Sequence, residues 1–272
     1  MRNKVVRFIK NIIKFLGLQS QFRRLAGFIY RENQNEIELC YSALDADRNP
    51  GIMFDVGAHH GGAFSRFAES GWDIFAFEPD FENRKKLNEK FGDRSNVFID
   101  DRALSNKAEK RVHFYRSHES SGISSLLPFR ETHESSGKVE VTTLEKFLEE
   151  QSPGKRGIDF LKIDTEGYDL NVLQGVPWDK ICPRLILCEF EDRKTQKLGY
   201  EFTDLADYLL GKGYELIVSE WYPIQEYGEQ HHWRRFAVYP CQLMDSQAWG
   251  NIIATTENWI YGNLLDLCEI ES

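Results

Sequence analysis

The apolar run Ile52-Met53-Phe54 leads into Asp55-Val56-Gly57-Ala58-His59-His60-Gly61-Gly62, and a helical spacing of Phe64, Phe67 and Ala68 starts a few residues later. Strand, glycine turn and helix in that order form the opening unit of an open α/β sheet. Glycine at 57 and 61 permits positive φ and close approach to the main chain, while a helix start offers free N–H groups. The next apolar run, Ile74 to Phe77, ends at Glu78-Pro79-Asp80. A carboxylate at that strand end is placed to accept hydrogen bonds from two ribose hydroxyls.

The turn discriminates among nucleoside ligands. A dinucleotide loop needs glycine at its first, third and sixth places, the third so that a pyrophosphate can touch the backbone. Those places hold Gly57, His59 and Gly62. The missing middle glycine argues against NAD or FAD, and S-adenosylmethionine, which has no pyrophosphate, fits better. Taken alone, the segment also reads as an α/β turn with no ligand.

Further strands are expected at 97–100, 160–163, 185–188, 216–218 and 236–239, with helices at 80–91, 144–149, 170–173 and 202–210 between them. Seven strands alternating with helices imply a mainly parallel sheet whose ligand sits beyond the carboxyl ends. The rhythm breaks where Arg111–Arg116 and Lys138–Thr142 alternate like strands around a stretch rich in Ser and Gly, which predicts a β-rich insertion. The turn Arg48-Asn49-Pro50-Gly51 sets the boundaries: residues 1–49 an N-terminal helical arm, 50–240 the α/β domain, 241–272 a C-terminal helical tail. At 272 residues one core with appendages is expected rather than two domains.

Charge is divided unevenly. No acid precedes Glu32, while Arg2, Lys4, Arg7, Lys10, Lys14, Arg23, Arg24 and Arg31 are all basic. The remaining 26 basic residues face all 43 acids, so the body carries −17 of a chain total of −9. Such a body is not expected to bind nucleic acid. Val5, Phe8, Ile9, Ile12 and Leu16 share one helical face, opposite Arg7, Lys10, Asn11 and Lys14. Basic residues interrupt every apolar stretch, so the arm reads neither as a signal peptide nor as a membrane span. Residues 1–31 are expected to make peripheral contact with an anionic membrane, to cover this chain's own core or to serve a homo-oligomer contact. Cys40, Cys182, Cys188, Cys241 and Cys268 show no metal or redox spacing, and a reducing cytoplasm is the expected compartment, with the arm at the inner membrane face.

Acids recur at the strand ends: Asp55, Glu78, Asp101, the run Lys162-Ile163-Asp164-Thr165-Glu166-Gly167, and Glu189 with Glu191 and Asp192. Carboxylates side by side on one sheet edge are costly unless a ligand uses them, so that edge is the expected site. Asp164, Glu189 and Glu191 would suit a hard divalent cation, but the tight acidic pair that would mark a metal is lacking after the fifth strand, and no metal is expected. His231 and His232, ahead of the last strand, either reach the site or lie in a surface loop. His118 and His133 bracket the insertion, and His113 reads as structural.

Asp-Val-Gly-Ala-His-His-Gly (55 to 61), Phe-Glu-Pro (77 to 79), Arg-Ala-Leu-Ser (102 to 105), Ser-Ser-Leu (124 to 126), Val-Thr-Thr-Leu-Glu-Lys-Phe (141 to 147) and Phe-Leu-Lys-Ile-Asp-Thr-Glu-Gly-Tyr-Asp (160 to 169) together resemble the FkbM-type S-adenosylmethionine-dependent methyltransferases. The resemblance runs from about Ile52 to Tyr239. It implies a class I (Rossmann-like) methyltransferase fold and O-methylation. Position by position it implies that Asp55, Gly57, Ala58, His59 and Gly61 hold the methionine part of the cofactor, Glu78 and Pro79 the ribose, and Asp101 with Arg102 the adenine. His59 stands where the family usually has Asn.

Methyl transfer to a hydroxyl needs an aligned acceptor oxygen and a group that takes its proton. Asp164, Glu166 and His231 are the candidates, with Asp164 equally suited to orient the cofactor's amino group. Ser124, His232, Trp233 and Arg234 are the expected acceptor contacts. Trp221, Tyr222, Tyr227 and Trp233 are suited to stacking on sugar rings, and Arg234 and Arg235 to a phosphate or carboxylate. The expected substrate is a sugar hydroxyl in a glycan or glycoconjugate, with a small-molecule natural product as the alternative. A nicotinamide-dependent oxidoreductase and a non-catalytic binding protein are the rivals from other classes.

Overall fold

Ile52–Val56 is buried at every position, which is what a strand flanked by parallel neighbours and covered on both faces requires. The computed structural model describes residues 34–117, 124–126, 128, 132–151, 157–224 and 231–270. The sequence-expected arm (1–31), His118, Tyr227 and most of the Ser/Gly-rich stretch lie outside them.

The main sheet contains β1 (Ile52–Val56), β2 (Asp73–Phe77), β3 (Val97–Asp100), β7 (Phe160–Ile163), β8 (Leu185–Glu191), β9 (Glu215–Trp221), β10 (Trp233–Val238) and β11 (Trp249–Thr255). The spatial order is β10-β9-β11-β8-β7-β1-β2-β3. From β8 across to β3 all neighbours are parallel, whereas β11 runs antiparallel to both β8 and β9, and β10 antiparallel to β9. β4 (Ala103–Leu104), β5 (Glu109–Ser117) and β6 (His133–Thr142) form a separate three-stranded sheet, the expected β-rich insertion.

Alternate residues of each strand feed two cores. Phe54, Val56, Leu161, Ile186 and Val218 meet the helices α4 (Leu144–Gln151), α5 (Asp169–Gln174) and α7 (Phe202–Gly211) through Phe147, Leu173 and Leu205. Met53, Ile74, Phe160, Leu187 and Ile253 meet α1 (Glu36–Ala43), α2 (Ser65–Glu69), α3 (Phe81–Phe91) and α8 (Asn258–Leu267) through Tyr41, Phe67, Leu87 and Leu264. Each fully buried leucine or phenylalanine contributes about 1.5–3 kcal/mol, so the two faces together hold the sheet flat against its helices.

Three expectations change. The sheet has eight strands and is mixed, not seven and mainly parallel. The segment read as a helical tail supplies β11, which sits inside the sheet, and only then a helix, α8. Ile252, Ile253, Ala254 and Thr255 are all buried, and an apolar run without alternation carries no period that separates strand from helix. The strand expected at 236–239 is present as β10 (Trp233–Val238), at the edge of the sheet. Residues 36–49 also leave the arm, because Glu36 is buried and accepts hydrogen bonds from Ser219 Oγ at 2.6 Å and Trp221 Nε1 at 2.7 Å.

Candidate functional site

Gly57 and Gly61 both adopt positive φ, as the turn requires. Their reason is packing within the chain: a Cβ on Gly57 would stand 1.9 Å from the carbonyl oxygen of Asp164, and one on Gly61 2.4 Å from the Phe91 ring. The turn after β1 is thereby pressed against the turn after β7. Ala58 is buried, and both Gly57 and Ala58 donate their N–H to Phe77 O at 3.0 Å. His59, also at positive φ, donates its N–H to Glu78 Oε2 at 2.7 Å, and its ring stacks on His60 at 3.6 Å. Burial, then the neighbouring His60 and Lys162, pushes the His59 imidazole down to about 4.

Glu78 sits at the end of β2 and is buried. Its second oxygen accepts from Asp80 N at 2.8 Å, and burial pushes its carboxyl up to about 8. A carboxylate has roughly four lone-pair sites, so one remains on each oxygen for a ligand hydroxyl. Asp80 caps α3, accepting from Glu82 N and Asn83 N, and its Oδ1 takes Arg116 from the insertion at 2.6 Å. Pro79 and the exposed Asp101 line a cleft of about 250 Å³, closed on its other side by Phe114, Arg116 and Lys138 of the insertion. Arg102 is committed elsewhere: it forks onto Asp100 with Nε to Oδ1 at 2.9 Å and Nη2 to Oδ2 at 2.8 Å, and reaches Glu150 at 2.6 Å.

Lys162, which the motif reading treated as part of a strand, is the hub of the turn region. Its ammonium lies 3.0 Å from Asp55 Oδ1 and 3.5 Å from Asp164 Oδ2, and donates to Gly57 O at 2.9 Å. Burial opposes that charge, yet Asp55 and Asp164 together hold the lysine pKa above its ordinary value. Asp55 is wholly buried beneath it and faces Lys162, not the surface. Asp164 keeps 43% of its side chain exposed at the lip of the sheet.

Beyond β7 the backbone turns sharply at Glu166 (φ 57°) and Gly167 (φ 103°). This swings the Glu166 carboxylate toward β8, where oxygens of Asp164, Glu166 and Glu189 all lie within 4.8 Å of one another. Lys194, from α6 (Asp192–Thr195), enters the same cluster and is nearly fully buried. Its Nζ lies 2.6 Å from Glu166, 3.0 Å from Glu189 and 2.9 Å from Glu191. Burial outweighs this cation at Glu166, pushing its carboxyl up to about 7, and raises Glu189 further. Ser125, fully buried, donates to the Glu166 carbonyl at 3.1 Å and pairs with Tyr115 of β5, which brings the Ser-Ser-Leu segment over this turn. Ser124, its neighbour, is partly exposed.

His231 meets the edge of the Trp249 ring at 5.0 Å, and Trp249 stands beside Trp221 at 5.3 Å and opposite Glu191 in the β8–β11 pairing. Burial lowers the His231 pKa while Glu191 pulls it up. The structure thus brings His231 together with the acidic cluster. It takes Trp233 and Arg234 into framework contacts: Trp233 Nε1 donates to Ser219 Oγ at 3.1 Å, and Arg234 donates to the buried Glu220 at 3.1 Å while lying over the Tyr222 ring. Arg235 also binds Glu220, and His232 is exposed. Sequence reasoning gave no role to Lys162, Lys194, Ser125 or Trp249; the first three are buried polar groups, which a linear pattern does not encode.

The donor set fits S-adenosylmethionine. Glu78 offers acceptors to a diol and Asp164 an exposed carboxylate to an ammonium group. Lys162, whose ammonium donates to the turn at Gly57 O, is spent on Asp55 and Asp164 and so is not offered to a pyrophosphate.

Comparison with known proteins agrees. The chain is similar over residues 55–216 to the methyltransferase FkbM domain. Among solved structures it is similar to the precorrin-6y C5,15-methyltransferase of Geobacter metallireducens GS-15, at 13% identity and a TM-score of 0.40 over 80% of this chain and 88% of that one. It is also similar to the magnesium protoporphyrin IX methyltransferase of Synechocystis PCC 6803 with bound SAH, at 13% identity and a TM-score of 0.41 over 92% and 99%. A third is an rRNA methylase of Streptococcus thermophilus, at 11% identity and a TM-score of 0.41 over 81% and 93%. No curated protein matches the chain in sequence. The FkbM match spans more than half of the residues and coincides with the turn, Glu78 and the acidic edge just described, and the chain belongs to the FkbM family of S-adenosylmethionine-dependent methyltransferases.

Proposed function

We propose that the protein methylates a hydroxyl group of a sugar in a glycan or glycoconjugate. The observation that carries this reading is the edge after β7 and β8, where the Glu166 carboxyl, pushed up to about 7, shares the Lys194 ammonium with Glu191, while His231 feels the charges of Glu191 and Lys194 and Trp249 stands opposite Glu191. A proton acceptor works best with a pKa near the working pH, and a hydroxyl must lose its proton as its oxygen is alkylated. When bound, the cofactor supplies the electrophilic methyl group. Asp55, Gly57, Ala58, His59 and Gly61 form the turn that holds its methionine end, Glu78 and Pro79 the ribose end, and Asp101 the base. Asp164 orients the amino group, and Glu166 or His231 takes the acceptor's proton. The half-buried Trp249, backed by the buried Trp221, presents a ring face on which a sugar stacks, with Ser124 and His232 at the rim. Trp233 and Arg234 serve this surface indirectly, by fixing the strand that carries it.

The reading extends to place and partners. The five cysteines are free, which supports a reducing compartment such as the cytoplasm. Among the described residues no helix is long and apolar enough to cross a membrane. The basic arm is read as a peripheral anchor at an anionic inner membrane face or as a contact between copies of the chain. Incubating the purified protein with methyl-labelled S-adenosylmethionine and extract of its native host tests the acceptor. The expected product is a sugar methyl ether; label recovered only on nitrogen, on a carboxyl ester or on a non-sugar metabolite would remove the sugar reading.

A further inference from the structure

Lys194 is the one described lysine placed against three carboxylates at once. Its stem is packed with Cβ against Gly167, and its side chain is 3% exposed. A buried ammonium is costly unless its charge is met, and an ammonium has three donors. Glu166 comes from the turn after β7, Glu189 and Glu191 from β8, so a single nitrogen joins two elements and α6. Asp164 adds a fourth carboxylate to the same edge, and Arg193 reaches only Glu191, at 2.7 Å. The cluster therefore gathers four carboxyl groups around one buried ammonium.

We propose that the Lys194 ammonium is the built-in cation of this edge: it holds Glu166, Glu189 and Glu191 on one point, positions Glu166 toward the acceptor, and occupies the place that a divalent ion would otherwise take. The Nζ–oxygen distances of 2.6–3.0 Å exceed calcium–oxygen distances of about 2.3–2.6 Å by only a few tenths of an ångström, so little movement separates the two arrangements. Lys194 acts through Glu166 and is a positioning residue. The positioning half of the proposal rests on the reading of this edge as the acceptor site; the cation half does not.

The test uses the full chain with calcium chloride or magnesium chloride alone. For the native protein, neither ion moves the melting temperature and a chelator leaves methyl transfer unchanged. Lys194→Ala lowers the melting temperature, and saturating calcium then raises it by roughly 5–10 °C, the shift expected for a ligand of the folded state at 100-fold excess over its dissociation constant. In the same variant kcat falls while KM for the cofactor stays near native, and calcium restores part of kcat. A purely structural lysine would give no divalent response. The proposal is overturned if either ion stabilises the native protein, if a chelator abolishes its turnover, or if folded Lys194→Ala ignores both ions. Should that variant not fold, Lys194→Gln, which fills more of the space than alanine and carries no charge, is read in the same way, and the native measurements decide by themselves. Full turnover in Glu166→Gln would end the reading of Glu166 as the base yet leave the divalent response of Lys194→Ala standing.

Discussion

Glu78 carries two loads, a ligand and a loop. Glu78→Ala removes the partner of both ribose hydroxyls; with its carboxyl pushed up to about 8 these are bonds to a mostly neutral group, worth about 0.5–1.5 kcal/mol each, so cofactor affinity measured by calorimetry should fall by one to two orders of magnitude. It also leaves the N–H groups of His59 and Asp80 without their acceptor, so the melting temperature falls too. Unchanged affinity in a folded variant would take Glu78 out of the site. At the chemical end, Glu166→Gln and His231→Ala, made separately, should spare cofactor affinity while at least one lowers turnover by roughly a hundredfold, as removal of a positioned base does. Full activity in both would refute the assignment of the base. Asp169 gives a pH signature of a different kind. It is buried with Oδ1 unpartnered, and burial, reinforced by Glu189, pushes its carboxyl from 3.8 up to about 7. The folded chain thus holds this proton more tightly than the unfolded one, and the stability tied to it is full below about pH 4 and lost as pH rises through about 7. Asp169→Asn should match the native protein near pH 4 and exceed it in melting temperature by a margin that grows up to pH 7–8; a pH-independent difference would contradict the shift. These residues were legible as types and places in the sequence, because strand ends and turn glycines follow from periodicity and punctuation. Their partners were not: Lys162 read as one polar position in a strand and Lys194 drew no reading, and only packing shows that each ammonium is buried among carboxylates.

At the scale of elements, the turn after β1 and the strand β11 make opposite cases. The turn was readable because glycine is demanded by φ, although the space it leaves is filled by the Asp164 carbonyl and not by a ligand. Gly57→Ala should therefore unfold the chain at lower temperature by a cost above about 1 kcal/mol, and should do so with or without cofactor. Equal melting temperatures for the two proteins would show that the turn can yield. β11 was misread because its residues are apolar on both faces, so the alternation that marks a half-buried strand is missing. Ile253 faces the helix layer that contains Leu264, with none of its surface in solvent beyond 1%. Ile253→Asp should cost more than about 4 kcal/mol and abolish a cooperative transition, whereas Met244→Asp, at 66% exposure, should stay within about 0.5 kcal/mol. A tolerated Ile253→Asp, seen as a normal thermal melt, would mean that the segment is peripheral after all.

For the whole molecule, the separation of charge between residues 1–31 and the rest is the property with a measurable outcome. If residues 1–31 form the proposed peripheral anchor, Phe8, Ile9, Ile12 and Leu16, with each nearby lysine or arginine drawn to anionic lipid by about 1 kcal/mol, should give salt-sensitive binding to phosphatidylserine vesicles that disappears on deletion of residues 1–31. Binding that survives the deletion, or its absence at low salt, would rule the arm out as an anchor. The body alone, at −17, should be repelled by the same vesicles.

The order of the sheet also sets the order in which a growing chain can finish folding. β8 and β9 are not hydrogen-bonded to each other; β11, made after both, lies between them. While the ribosome works through the residues after β9, the parallel half from β3 to β8 can assemble, but β8 keeps an open edge and the pair β9–β10 has nothing to dock on. Synthesis proceeds at about 5–20 residues per second, so this half-built sheet, with its exposed apolar edge, persists for seconds on every nascent chain. The last strand to emerge, Trp249–Thr255, is the one that seals it.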